Sequence, residues 1–350
     1  MFAVILCSKG YIKMTTIVEV ADKAGVSIKT VSRVMNGYVH VSQKTRKRVE
    51  DAMNELDYTP SATARQMRLG ESHSIGVLFG DPSSGYQSEI NHSMLRACAE
   101  VGRYLVVELF DEKDRKWAQQ VESFLDRTKV KNLVLVPPMS DSIEVHNVLR
   151  ERGIRFVLIS PSRPVSGASS VQMDDRLAAT EVTEYLIKLG HTRIGHIAGH
   201  EDHIVTMLRR LGYQDAMVAA GLDAADTDLI MSGRFRFKQA LDCAHQMLAL
   251  PERPTAIFAA NDQMAVAAMM AAHKMGLSVP EDLSVIGFDD TPMSQLIWPT
   301  LTTVAQPYDE IARAALKVLQ GEFDDRTGAP KSIVLPHQLI VRDSAGSPTV

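Results

Sequence analysis

Between Thr16 and Gly37 apolar residues recur with helical spacing: Val20, Ala21 and Ala24 on one face, then Val31 and Val34 on a second. That period predicts two short helices joined by a tight turn. Thr16 stands three residues before Glu19, the spacing of a capping box. Gly25 sits where the turn calls for a positive φ, which a Cβ makes costly. Ser27 is placed to cap the second helix. A third amphipathic run opens at Ser42, with Val49, Ala52, Met53 and Leu56 on one stripe, and closes a three-helix core that Pro60 ends. The stretch Ser61 to Gly70, SATARQMRLG, is amphipathic but too short to hold as a helix by itself in water.

From Ser74 the period changes. Short β-rich runs alternate with helical ones: SIGVLF, YLVVEL (104–109), NLVLVP (132–137), RFVLIS (155–160), TRIGHIA (192–198), TAIFA (255–259) and LSVIGF (283–288). Helical runs between and after them include 89–101, 178–189, 207–220, 238–250, 264–275 and 309–319. Near-continuous Val, Ile and Leu strands separated by helices predict parallel sheets covered on both faces. The runs fit one large sheet, but the length favours two doubly wound subdomains.

Charge sharpens this division. Thr15 to Gly70 carries nine Lys and Arg against six Asp and Glu, an excess of three. With Lys9 and Lys13 ahead of it and −4 overall, the remainder holds −9. A basic head on an acidic body is the electrostatic footprint of local nucleic-acid contact. Cys7, Cys98 and Cys243 are scattered, with no disulfide framework or zinc spacing, which fits a reducing cytosol. No run approaches membrane-spanning length. FAVILC near the start lacks a preceding basic region and a cleavage site. Residues 1–14 read as a disordered lead, or as an overlong start with Met14 the initiator.

The second helix leaves Ile28, Lys29, Thr30, Ser32, Arg33 and Asn36 on its outer face. A major groove admits one α-helix, where Arg can grip guanine O6 and N7; Thr, Ser, Asn and Lys suit phosphate oxygens. A bare helix-turn-helix pattern also fits a solvated hairpin in a larger helical domain. The combination VADKAGVSIKTVSRVMNG, VSQKTRKRV and LDYTPSATARQM resembles the DNA-binding headpiece and hinge of the lactose-repressor (LacI/GalR) family, and the resemblance extends from about Thr15 to about Ser344. It implies a cytoplasmic, dimeric, ligand-regulated transcription factor: an all-α helix-turn-helix headpiece (15–60) and hinge (61–71), then a two-lobed α/β domain of the periplasmic-binding-protein type (72–344) built from doubly wound parallel sheets. Lobe 1 is expected at about 72–189 and 308–335, lobe 2 at about 190–306 and 336–344, with crossovers near 189, 306 and 335. Residues 345–350 read as a disordered tail.

In open α/β sheets ligands sit beyond the carboxyl ends of the strands. There stand Asn261-Asp262, Asp289-Asp290, Tyr86 and the segment reaching Arg209. Carboxylate, carboxamide and guanidinium converging on a cleft suit vicinal hydroxyls, and an aromatic face, Phe235 or Trp298, would complete a sugar-like site. The resemblance places Arg209, Asn261 and Asp289 at the family's effector-binding positions and Phe235 where members often carry a stacking aromatic. Each has a plainer reading: Asn261 and Asp262 as helix caps, Asp289 as a turn residue, Arg209 as a surface cation, the aromatics as core.

The resemblance also marks departures. Met67 stands where relatives usually carry the Leu that wedges into a minor-groove base step, with Leu69 as a second choice. Ser61 replaces the more usual Asn, and Ala64 lies on the same DNA-facing hinge. Ile28 and Lys29 occupy the leading base-reading positions. No heptad extension follows Asp343, which favours a dimer over a tetramer. His191, His196, His200 and His203 cluster in sequence, but without ligand spacing for a metal, and no P-loop, GxGxxG, GxSxG or HExxH appears. Asp174 and Asp175 read as a helix N-terminus that favours negative charge. No enzyme activity, metal or cofactor is expected. The expectation is a homodimeric repressor of carbohydrate use on a palindromic double-stranded operator, controlled by a carbohydrate in the cleft. Alternatives are a purine or nucleoside corepressor, an activator, and, further off, a secreted solute-binding protein or a sugar-processing enzyme.

Overall fold

The computed structural model describes residues 15–35, 38, 40–58, 73–80, 84–111, 114, 116–224, 226–322 and 330–349. The chain divides into two compact units, 1–71 and 72–350. In the first, α1 (Ile17–Ala24), α2 (Ile28–Met35) and α3 (Gln43–Glu55) enclose Val20, Ala21, Ala24, Val31, Val34, Val49 and Ala52. The capping box forms: the Thr16 hydroxyl accepts from the Glu19 N–H, and the Glu19 carboxylate accepts from the Thr16 N–H at 2.8 Å. Gly25 takes φ +60°, and a Cβ there would stand 2.8 Å from Arg48 Nη2.

That guanidinium has a structural task. Arg48 donates to the carbonyls of Ala24 and Gly25, and Arg46 to those of Val34 and Tyr38. Two cations of α3 thus satisfy carbonyls at the C-terminal ends of α1 and α2, where the helix dipole also favours positive charge. Lys44 and Lys47 stay exposed.

The second unit holds two parallel sheets. The first has six strands in the order β11-β5-β4-β3-β1-β2, with β1 Ser74–Phe79, β2 Tyr104–Leu109, β3 Asn132–Leu135, β4 Arg155–Ile159, β5 Ser169–Met173 and β11 Ser332–Leu335. On one face lie α4 (Gly85–Glu100) and α12 (Tyr308–Leu319); on the other lie α5 (Trp117–Thr128) and α6 (Ile143–Glu151). The second sheet runs β7-β6-β8-β9, with β6 Ile194–Ala198, β7 Ile230–Ser232, β8 Ala256–Ala259 and β9 Ser284–Ile286. It is covered by α7 (Asp175–Lys188) and α8 (Ile204–Ala219) on one face, and by α9 (Phe237–Leu248) and α10 (Asp262–Lys274) on the other. An antiparallel pair, β10 (Thr303–Ala305) and β12 (Gln338–Ile340), lies where the chain passes between lobes. Among the described residues no helix is long and apolar enough to cross a membrane.

Where the first lobe ends differs from the sequence expectation of about 189. Helix α7 packs Ala178, Ala179, Val182 and Leu186 against Tyr213 and Met217 of α8, inside the second lobe's core. Gly212 allows the approach: a Cβ there would stand 2.1 Å from the Arg176 carbonyl. The chain therefore crosses just after β5. Helix α4 begins at Gly85 rather than near Glu89, because Ser84 caps it. Strands β5, β7, β10, β11 and β12 carry no distinct apolar run. They are only three to five residues long, so neighbours rather than composition recruit them.

Candidate functional site: a cleft between two lobes

The loops that follow the strands converge on a cleft of about 890 Å³, counting its solvent-open mouth. The first lobe supplies Ser84, Tyr86 and Gln87 after β1, Pro137 after β3 and Ser160 after β4. The second supplies residues after β6, β7, β8 and β9, so both sheets present their carboxyl ends to one opening.

Arg209 is its centre. The residue sits on α8 and is 4% exposed. Both Nε and Nη2 lie 2.8 Å from Asp175 Oδ1, Nη1 donates to the Ala260 carbonyl, and Asp289 Oδ1 is 3.9 Å from Nη1. The guanidinium plane lies over the Phe288 ring, 3.5 Å from its centroid, a desolvated cation–π contact. A cation this buried needs a partner with good geometry, and Asp175 provides it from the first turn of α7.

Asp289 follows β9 with φ +111°, a left-handed value a non-glycine residue rarely holds. Its Oδ1 accepts from Gln306 Nε2 at 2.7 Å. Burial pushes its carboxyl up to about 8 against the pull of Arg209. Asn261 caps α10, its Oδ1 accepting from Met264 N–H at 2.9 Å, which leaves the amide NH2 donors for the cleft it lines. Neighbouring Asp262 turns inward and accepts from the backbone N–H and hydroxyl of Thr291 and the hydroxyl of Thr303, binding the Asp289 loop to α10.

Phe235 lines the cleft with φ +56°, directly after Arg234 at φ +55°. Its ring lies across Gly199, where a Cβ would meet Cζ at 2.1 Å. Tyr86 lines the opposite lobe, its ring 5.9 Å from that of Tyr308. Of the six residues expected from sequence, Arg209, Asn261, Asp289, Phe235 and Tyr86 come together here. Trp298 does not: it is 86% exposed beyond the short helix α11 (Met293–Leu296) and does not line the cleft. That helix buries its Ser294 side and leaves Leu296 and Trp298 outside.

The cleft also holds residues the sequence reading left out. Asp174, not Asp175, is the N-cap of α7, accepting from Leu177 N–H. Asp175 is one residue further round and points inward to Arg209. Gln306, Ser160, His200, His203, Arg234 and Arg236 also line the cleft. Position after a strand end was the available signal for Ser160, His200 and Arg234. His191 and His196 belong to the framework. His191 contacts Thr255, Ser284 and the Gly346 carbonyl, while His196 is stacked between Tyr213 and Phe258.

In the first unit, α2 leaves Ile28, Lys29 and Arg33 exposed, with Thr30 and Ser32 half-buried between them. Arg33 lies over the Tyr38 ring, 5.3 Å from its centroid. Ser27 accepts from the Thr30 N–H and its hydroxyl lies 3.0 Å from that of Thr30, so Thr30 is positioned by the cap. Asn36, Ser61, Ala64, Met67 and Leu69 lie outside the described residues.

A helix-turn-helix unit ahead of a two-lobed, ligand-sized cleft defines a DNA-binding regulator. Comparison with known proteins agrees. Residues 16–61 match "Bacterial regulatory proteins, lacI family", and residues 183–345 match "Periplasmic binding protein-like domain". The ribose operon repressor of Escherichia coli K12 is 35% identical over 337 residues, covering 95% of this chain and all of the relative. The transcriptional repressor CytR of the same strain is 35% identical over 335 residues, covering 94% and 96%. The solved Lac repressor dimer bound to operator and the anti-inducer ONPF is 28% identical over 95% of this chain and all of that one, with a TM-score of 0.82. A CelR–cellobiose complex is 28% identical at the same coverage, with a TM-score of 0.71. The chain belongs to the lacI family of bacterial regulatory proteins, which are DNA-binding transcriptional regulators.

Proposed function

We propose that the protein represses a carbohydrate-utilisation operon and that a sugar bound between its lobes sets its affinity for the operator. The observation that carries this reading is the buried Arg209–Asp175 pair beside Asp289 at the floor of the cleft. Planar groups with fixed donors and acceptors, buried at the floor of a cleft, match the paired hydroxyls of a sugar. Phe235 offers an apolar face on one side and Tyr86 an aromatic neighbour from the other lobe. The similarity to the ribose operon repressor and to a cellobiose-bound regulator supports the same ligand class.

On DNA, two headpieces of a cytoplasmic homodimer lay their α2 helices in successive major grooves of a palindromic operator. Arg33 reads a base, Ile28 and Lys29 tune the choice, and Thr30, Ser32 and Asn36 hold the phosphates. Ser61, Ala64 and Met67 act from the hinge, with Met67 the minor-groove wedge. Exposed Leu296 and Trp298 suit a subunit contact better than a ligand. A sugar that prefers one lobe geometry then shifts operator affinity, and by linkage the operator shifts sugar affinity by the same factor.

The test is operator binding at one fixed salt concentration, because phosphate contacts make affinity steeply salt-dependent. Protein is bound to its own upstream DNA and titrated with mono- and oligosaccharides and purines. Release by a sugar, lost in Arg209→Ala while operator binding persists, is expected. Release by a purine alone, or an Arg209→Ala protein that still responds, would overturn the assignment.

A further inference from the structure

One end of the cleft carries chemistry that neutral hydroxyls do not require. His200, His203, Arg234 and Arg236 line it together. His203 is the N-cap residue of α8 and Arg236 that of α9, neither making a side-chain cap, so two helix N-termini open onto the same end. Each presents backbone N–H groups and the positive pole of a dipole.

His200 sharpens the point. The backbone N–H of Asp202 donates to its Nδ1 at 3.1 Å. Its Nε2 lies within hydrogen-bond distance of Arg234 Nη2, at 3.0 Å. An anionic oxygen above this pair would accept from the guanidinium in a charge-assisted hydrogen bond, with the imidazole alongside as a second donor in its Nε2–H form. Arg234 is held there by two successive left-handed residues, a local strain of the kind found at ligand clamps.

Asp202 and Asp141 reach His203 through space, and three further acids stand against arginines. Asp175 is committed to Arg209 at the floor. Asp289 stands beside the same guanidinium, and burial holds its carboxyl towards the protonated form. Glu201 meets Arg234 at 3.1 Å from outside the cleft, with its side chain 64% exposed, and so competes for that guanidinium as a screened surface partner.

We infer that the effector is an anionic sugar, whose hydroxyls lie on Arg209, Asp289 and Asn261 while its carboxylate or phosphate meets Arg234, His200 and the N-termini of α8 and α9. This rests on the proposed sugar-binding role of the cleft and narrows its ligand class.

The experiment is calorimetric titration of the full chain with matched pairs that differ only in the anion. These are glucose against glucuronate and glucose 6-phosphate, galactose against galacturonate, and ribose against ribose 5-phosphate. In at least one set the charged member is expected to bind tenfold or more tightly than its neutral parent. Which charged member wins separates carboxylate from phosphate. Arg234→Gln brings the ratio of the two affinities towards one, and Glu201→Gln, which removes the competing surface carboxylate, raises it severalfold. Both positions are exposed, so these variants retain the core. Neutral members binding as tightly as charged ones, or a ratio indifferent to both substitutions, overturns the anionic assignment and leaves the sugar reading intact. No binding by any member, neutral or charged, sinks both.

Discussion

Replacing Asp175 by Asn preserves the side chain's shape and one acceptor oxygen but removes the counter-charge of a guanidinium that is only 4% exposed. Breaking a buried ion pair from one side costs about 3–5 kcal/mol, because the remaining charge is left without a partner. The geometry tempers this figure. Asp289 Oδ1 is 3.9 Å from Arg209 Nη1. At that separation two unit charges attract by roughly 4 kcal/mol at an effective dielectric of about 20. With Asp175 gone, Arg209 draws Asp289 towards its ionised form and regains part of the loss, set against the cost of ionising a buried carboxyl. The expected net loss at pH 7 is about 2–4 kcal/mol, a fall in melting temperature on the order of 5–10 °C for a domain of this size. Scanning calorimetry measures it, and sugar titration of the same protein should show weakened or abolished binding. A melting temperature within about 1 °C of wild type would refute the argument that Asp175 is the counter-ion on which Arg209 depends.

A second expectation concerns pH. Asp289, raised to about 8, binds more protons folded than unfolded at pH values between its ordinary carboxylate range and 8. Its contribution to stability therefore falls as pH rises through that window. Asp262, raised to about 6, acts with the same sign at lower pH, while His196 and His203, lowered to about 4, act oppositely below about 6.5. Burial also raises Asp175, so the interval from 6.5 to 8 reports on the cleft carboxyls, and Asp289→Asn should reduce the slope of chemical-denaturation stability there; an unchanged slope would show that another group titrates. Gly199→Ala places a methyl against the Phe235 ring and should cost about 1–3 kcal/mol in overpacking, with a loss of sugar affinity seen by calorimetry; wild-type affinity would remove Phe235 from the ligand's surroundings. Arg33→Ala should lose about 1–3 kcal/mol of discrimination at one operator position, and an unaltered preference in a binding selection would refute base readout. Arg48→Met should instead lower headpiece stability by about 1–2 kcal/mol through the Ala24 and Gly25 carbonyls. A thermal midpoint equal to wild type would show those carbonyls satisfied without it.

Much of the architecture is written in local periodicity. The Thr16–Glu19 capping box, Gly25 at the turn and the Val31–Val34 stripe depend on residues within four positions of one another, so the sequence alone determined the headpiece. Strands such as β1, β3 and β8 are buried on both faces, and their near-continuous apolar residues report it directly. The strand-end rule then pointed to Asn261 and Asp289, because in a doubly wound sheet every such loop opens on the same side, and the family resemblance pointed to Arg209, which lies within α8.

What the sequence left undecided depended on distances between parts far apart in the chain. Whether Asp174 or Asp175 caps α7 is a matter of one step of helical rotation, about 100°, and only the position of α8 shows that the second carboxylate meets Arg209. Trp298 is an aromatic after a strand like any other until the packing of α11 turns it outward. In the sequence Arg46 and Arg48 count only as part of the headpiece's basic excess, yet carbonyls 8 to 24 residues away claim them. His200 and Arg234, 34 residues apart, meet only because β6 and β7 are neighbours. Sequence fixes which face of each element is apolar; the polar groups that meet at a cleft are chosen by how those faces pack, and no local pattern encodes that choice.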